Sequence, residues 1–240
     1  MHNSTFTLHK IRTANIVLVL AIAAAGIRPA AAENMPKRVE KAVSVLNTLT
    51  GSSARGVRPE QFASADCVAV IPGYKKGAAV VGVGFGRGFI SCRKGDTWSA
   101  PAAVTLEGGS LGVQVGGEKI DIVILSLDKE QRSKLLSNRF TIGTGASAAW
   151  ENGKSAHEDP NAKILFFGHT GGAFAGFDLD GTTLKPDDSR NKALYGKVTS
   201  NSEIVESAAT PATAQPLVSK LTSLIRAESA STSARLRSRK

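Results

Sequence analysis

Met35, Val39, Ala42, Val43, Leu46 and Leu49 recur at spacings of one, three and four, so they form one stripe of a helix with Lys37, Arg38 and Lys41 off it. Such a stripe serves either a core or a membrane interface. Gly51 suits the helix end, and Pro59 suits the first turn of a short helix through Ala65. From Cys67 to Leu127 the period changes to two, which is a strand period. Strands are predicted over 67–71, 78–83, 86–93, 102–106, 111–115 and 120–127. Between them, Pro72-Gly73, Lys94-Gly95-Asp96, Gly108-Gly109 and Gly116-Gly117 read as turns. Turns this short imply mostly antiparallel pairing.

Asp128 is placed to cap a helix through Leu136. Three more strands are expected over 140–149, 163–168 and 173–179, with Asp180-Gly181 as a hairpin turn and the polar residues 151–161 as a loop. Pro186 to Tyr195 reads as a helix with acids in its first turn. After Asn201 the composition turns to Ser, Ala, Thr and Pro, the signature of a linker. A helix follows from Pro216, with Leu217, Leu221, Leu224 and Ile225 on one face. The expected fold class is α+β: one domain with a curved, mostly antiparallel sheet and a few short helices.

Glycine occupies positions 82, 84, 86 and 88, alternating with Val81, Val83, Phe85, Arg87 and Phe89. Glycine at alternate strand positions marks a place where something packs too closely for a side chain. Downstream lie Trp98-Ser99-Ala100-Pro101, Glu107-Gly108-Gly109, the run Gly112-Val113-Gln114-Val115-Gly116, Gly176, and Asn191-Lys192-Ala193-Leu194-Tyr195-Gly196. Together these blocks resemble the SYLF family, over a span from about Lys37 to about Glu206. The resemblance implies binding of phosphoinositides and other lipids, and in some eukaryotic members of actin filaments. Where SYLF relatives carry a longer Gly-Pro-containing segment, this chain has Trp150-Glu151-Asn152-Gly153-Lys154-Ser155, so no function of that loop is carried over.

The first 32 residues read as a secretory signal peptide: Lys10 and Arg12, an apolar run from Ile16 to Ile27, and Ala30-Ala31-Ala32 before the cleavage point. Residues 33–200 are then expected as the SYLF-like domain and 201–240 as a basic extension. After cleavage, 27 basic residues face 20 acidic ones; the excess is four over residues 33–200 and three over 201–240. That balance favours an anionic surface. Export and the sparse aromatics argue against nucleic acid. In an oxidising compartment Cys67 and Cys92 are expected to form a disulfide, with two buried thiols as the reading left open beside it.

Catalytic chemistry finds little support. Gly108-Gly109-Ser110-Leu111-Gly112 matches the nucleophile-elbow pattern, but a β-type run follows the serine where a helix is required. Ser91-Cys92-Arg93-Lys94 lacks partner motifs. His157 and His169 show no metal-ligand spacing with the cysteines, and His157-Glu158-Asp159 reads as solvated charge. Arg87 stands where the third glycine of a dinucleotide fingerprint belongs, so no nucleotide or other cofactor is expected. The cations Lys75, Lys76, Arg87, Arg93 and Lys94 remain as expected lipid-binding residues, set against ordinary solvated charge. The expectation is an exported, periplasmic or secreted, non-enzymatic binder of an anionic phospholipid surface. The alternative is an envelope structural protein that binds a protein or cell-wall polymer.

Overall fold

A computed structural model describes residues 34–51, 57–78, 81–111, 116–142, 147–150, 162–170, 179 and 181–237. The expected signal peptide, the loop at 151–161 and most of the strand expected at 173–179 lie outside these residues. Helix α1 (Met35–Gly51) buries Val39, Ala42, Leu46 and Leu49 of the expected stripe, leaves Met35 and Val43 partly buried, and also buries Val45, which the spacing did not place on the stripe. Arg38, expected on the solvent side, is 1% exposed. It is buried because its guanidinium reaches Asp187, far away in sequence, at 3.4 Å. Helix α2 (Pro59–Ser64) opens on the expected proline, with the Arg58 N–H donating to Gln61 Oε1 at 2.8 Å.

The strands are β1 (Cys67–Ala78), β2 (Val81–Lys94), β3 (Thr97–Trp98), β4 (Ala102–Leu111) and β5 (Gly116–Ser126). After α3 (Lys129–Leu135) come β6 (Phe140–Thr141), β7 (Ser147–Trp150), β8 (Ile164–Thr170) and β9 (Thr183–Pro186). Helices α4 (Asp188–Tyr195), α5 (Asn201–Ser207) and α6 (Gln215–Arg237) complete the chain, with a 3-10 turn (Ala212–Ala214) before the last. The curved sheet runs β6-β9-β4-β2-β1-β5-β8-β7, with β3 paired to β2. Its ladders are antiparallel except β7 with β8.

Two expected turns are strand interior. Pro72-Gly73 lies within β1, where the registers with β2 and β5 shift. Gly73 has φ +58°, and its N–H donates to Asp121 Oδ1 at 2.7 Å, so the pair makes a bulge. Gly108-Gly109 lies inside β4, which pairs with β2 as far as Leu111 opposite Val81. Gly108 is there for packing, since a Cβ would sit 2.7 Å from Thr182 Oγ1. Gly116-Gly117 begins β5 rather than turning, and of the strand expected at 111–115 only Leu111 is described, as the end of β4. The turn expected at Asp180-Gly181 keeps its glycine at φ +76°.

The sheet has a core on each face. One joins Ile71, Ile90, Val104, Leu106, Ile122 and Ile124 to α3 and to Ile204 and Val205 of α5. The other joins Val68, Val70, Phe89, Val123, Leu125 and Phe167 to α1, α2 and α6. Residues 201–207, expected as linker, are therefore a packed helix capped by Ser200. Leu217, Val218 and Leu221 of α6 are buried under α1. The Ser/Ala/Thr composition misleads because only every third or fourth residue needs to be apolar on a docked helix.

Candidate functional site

The blocks that carry the family resemblance turn out to be structural joints. Tyr74 and Ile71 lie across the glycines of β2: a Cβ at Gly84 would clash with the Tyr74 hydroxyl, and one at Gly86 would meet Ile71 Cγ2 at 2.6 Å. Burial raises the Tyr74 phenol above its usual range, partly offset by a hydrogen bond to Thr182. In the second block, the Ser99 hydroxyl accepts from the Cys92 N–H at 3.0 Å, and the Ser91 hydroxyl donates to the Ser99 carbonyl at 2.8 Å. In the last block, Asn191 acts as a side-chain strand. Its Oδ1 accepts from the Ala103 N–H at 2.6 Å and its Nδ2 donates to the Ala103 carbonyl at 3.2 Å. Tyr195 donates to the Pro101 carbonyl at 2.7 Å, and burial raises its phenol well above the ordinary tyrosine range. These residues tie α4 to β4 and leave binding to other side chains.

Among the described residues, α1, α2 and α6 cover only part of the length of this face. Beyond the helices, one cross-strand row reads Lys119, Lys75, Phe85, Glu107 and Thr183 across β5, β1, β2, β4 and β9. Directly paired residues point to the same side of a sheet. The adjacent row places Arg87 opposite Thr105 and Thr105 opposite Lys185. Phe85 is 42% exposed and Val83, two residues earlier on the same face, is 66% exposed. The Arg87 guanidinium lies 5.0 Å from the Phe85 ring centroid, a cation–π contact. Lys185 Nζ is 2.6 Å from Glu107 Oε2. Lys75 and Lys119, both exposed, stand directly opposite each other with no ion-pair partner among the described residues.

Of the five cations expected to bind lipid, the structure brings Lys75 and Arg87 to this row. Lys76 follows on β1, paired with Gly84 and Glu118, and its side chain lies outside the described residues. Arg93 and Lys94 lie at the other end of β2, about 20 Å from Arg87 at strand rise. Arg93 Nη2 donates to the carbonyls of Phe62 and Ala63 at 2.6 and 2.9 Å, and its guanidinium stacks 4.7 Å from the Trp98 ring. Burial lowers its pKa while Asp66 and Asp96 oppose that fall. Arg93 thus caps the end of α2, and Lys94 donates to the Glu206 carbonyl at 3.0 Å. Both belong to the scaffold. Sequence reasoning missed Lys119, Lys185, Val83 and Phe85, because strand alternation assigns faces but not the register that assembles them.

Asp187 joins this row to the helices. Its carboxylate meets buried Arg38 at 3.4 Å and Arg87 Nε at 3.7 Å. It also accepts from the Ser189 hydroxyl at 2.9 Å and, as the cap of α4, from the Arg190 N–H at 3.3 Å. Cys67 and Cys92 are bonded, so the second of the two open readings, buried thiols, does not hold. Ser110, the elbow candidate, lies within β4. Among the described residues there is no cluster of three or more His, Cys, Asp or Glu suited to a metal, and no helix is long and apolar enough to cross a membrane.

Among the described residues, the curved sheet therefore ends in a patch that mixes charged side chains with exposed Phe85 and Val83. The family model that matches residues 107–224 is Ysc84, described as Las17-binding protein actin regulator. Among similar proteins, an SH3 domain-containing protein of Schizosaccharomyces pombe is 34% identical over 58% of this chain and 35% of its own length. Protein YSC84 of Saccharomyces cerevisiae is 31% identical over 71% of this chain and 39% of its own. The SH3 domain-containing YSC84-like protein 1 of Xenopus laevis is 29% identical over 68% and 52%. The chain carries a domain of the Ysc84, or SYLF, family. It spans between about a third and a half of the length of these relatives. The matched residues end at 224, within α6, so the match runs past the boundary expected at residue 200. No solved structure gives a significant match.

Proposed function

We propose that this domain binds an anionic phospholipid surface, without catalysis, through the uncovered end of the sheet. The observation that carries the reading is the row itself: Lys75 and Lys119 face each other beside exposed Phe85 and Val83. Like charges directly opposite on adjacent strands destabilise a sheet, so the pair favours a bound counter-anion. The apolar residues between the cations suit the boundary between headgroups and acyl chains. Each basic residue near an anionic surface contributes about 1 kcal/mol, so Lys75 and Lys119 supply the long-range attraction together, while Arg87 and Lys185 are paired with Asp187 and Glu107. The protein is proposed to be exported, a reading that the Cys67–Cys92 disulfide supports. N-terminal sequencing of the exported protein should then begin near Glu33; an intact Met1 refutes the cleavage.

The test is co-sedimentation with vesicles of phosphatidylcholine, with and without phosphatidylglycerol, at two salt concentrations. Binding should need the anionic lipid and weaken as the screening length falls from about 10 Å at 0.1 M to about 3 Å at 1 M salt. Lys75→Glu with Lys119→Glu should lower affinity at least about tenfold, since reversal adds repulsion to lost attraction. An unchanged affinity refutes the site. The competing source of charge is the basic run 235–240, tested by changing Arg235, Arg237, Arg239 and Lys240 to Gln. Truncation at residue 200 is unsuitable, because it would strip Leu217, Val218 and Leu221 from the core. A second reading, a protein partner, is favoured by the character of the matching family, described as Las17-binding. Sedimentation that is independent of lipid charge would support it.

A further inference from the structure

We infer that Arg87 is held in reserve by Asp187 and is handed over to a phosphate of the bound surface. The inference rests on the lipid reading above and concerns how that site is regulated. Arg87 has a divided environment. Its guanidinium stacks on exposed Phe85 at 5.0 Å and is itself 41% exposed, so it belongs to the binding row. Its Nε also lies 3.7 Å from Asp187 Oδ2, a carboxylate that is 7% exposed. An internal carboxylate therefore neutralises the one guanidinium of the row in the unbound protein.

The exchange is cheap because Asp187 does not depend on Arg87. Its Oδ2 keeps Arg38 at 3.4 Å, and its Oδ1 keeps the Ser189 hydroxyl at 2.9 Å and the Arg190 N–H at 3.3 Å. Losing Arg87 leaves the carboxylate hydrogen-bonded and still paired with one cation. An ion pair with a half-exposed partner contributes about 0.2–1 kcal/mol. A phosphate offers the guanidinium a bidentate, charge-assisted pair instead. Thr105, directly opposite Arg87 on β4, has a buried hydroxyl with no hydrogen-bond partner among the described residues. Lys75 and Lys119 attract the surface at a distance, and Arg87 engages it only after leaving Asp187.

The experiment is a mutant cycle read by co-sedimentation with phosphatidylglycerol-containing vesicles. Asp187→Asn should raise affinity about two- to fivefold, the equivalent of the released ion pair. Arg87→Gln should abolish that gain, so the two changes should be strongly non-additive. Because Asp187→Asn alone removes a countercharge from buried Arg38, the same cycle is run on an Arg38→Met background. A second readout is the Arg87 Nε–H resonance in the wild-type protein, titrated with short-chain phosphatidylglycerol below its micellar concentration. It should move on binding, and inorganic phosphate should move it less if the membrane is the source of the anion. If wild type fails to bind anionic vesicles, the lipid reading falls. If wild type binds but Asp187→Asn shows no gain in either background and the Arg87 resonance stays fixed, the hand-over is wrong and the lipid reading stands.

Discussion

Gly88→Ala should destabilise the fold by more than about 3 kcal/mol, although it adds a single methyl group. A Cβ at Gly88 would coincide with the Val70 carbonyl oxygen and lie 2.8 Å from Ile71 Cδ1. The obstacle is backbone at the edge of the β1 bulge, where the register with β2 shifts after Val70. Neither strand can yield without breaking the ladder on its other side. Gly84→Ala should cost less, because its Cβ would meet the Tyr74 side chain, which can swing at the expense of its bond to Thr182. Gly51→Ala, with nothing within 4 Å, should be neutral or stabilise by up to about 1 kcal/mol. Urea unfolding should rank the three in that order. A Gly88→Ala protein within about 1 kcal/mol of wild type would overturn this packing account. The proposed function is linked to the same joint, since Arg87 stands between Gly86 and Gly88 and a displaced β2 would carry the proposed row with it.

Local structure was largely legible in the chain, and long-range partnership was not. The stripe of α1 follows from period alone, and so does the start of α2 at Pro59. The cap Asp128 also works as its residue type predicts, accepting from the Gln131 N–H at 2.8 Å. Arg38 shows where such reasoning stops. A basic residue off the stripe belongs on the surface unless an acid waits for it, and its acid lies 149 positions away. Glycine was read correctly as a sign of close approach in β2 and wrongly as a turn in β1 and β4, because the residue type serves both needs. Half of the cations in the proposed row were visible as Lys75 and Arg87. The other half, Lys119 and Lys185, needed the register of β5 and β9, and β9 is a four-residue strand beside a proline with little period to detect. Arg93 looked like a free cation because nothing in a sequence marks a carbonyl cluster at a helix end as its partner.

Breaking the Cys67–Cys92 disulfide should cost about 3.5 kcal/mol and lower the melting temperature by about 10 °C, while leaving vesicle binding intact below the melt. The two cysteines are separated by 25 positions and stand directly opposite on β1 and β2. The ladder already holds these strands together in the folded state. The stabilisation therefore comes mainly from the unfolded chain, which the bond forbids from opening a loop of that length. Both sulfurs are buried in the core beside Ala100 and Ile90, so replacing them with alanine adds only a small cavity cost. The binding row lies at the opposite end of the same strands: Lys75 is eight residues from Cys67, about 26 Å at strand rise. A Cys67→Ala, Cys92→Ala protein should accordingly melt earlier and still sediment with phosphatidylglycerol vesicles at 10 °C with wild-type affinity. Equal melting of the oxidised and reduced proteins would refute the stabilising role. Loss of vesicle binding in a protein that is still folded would show instead that the bond shapes the row, and would place the site nearer to Cys67 than the register allows.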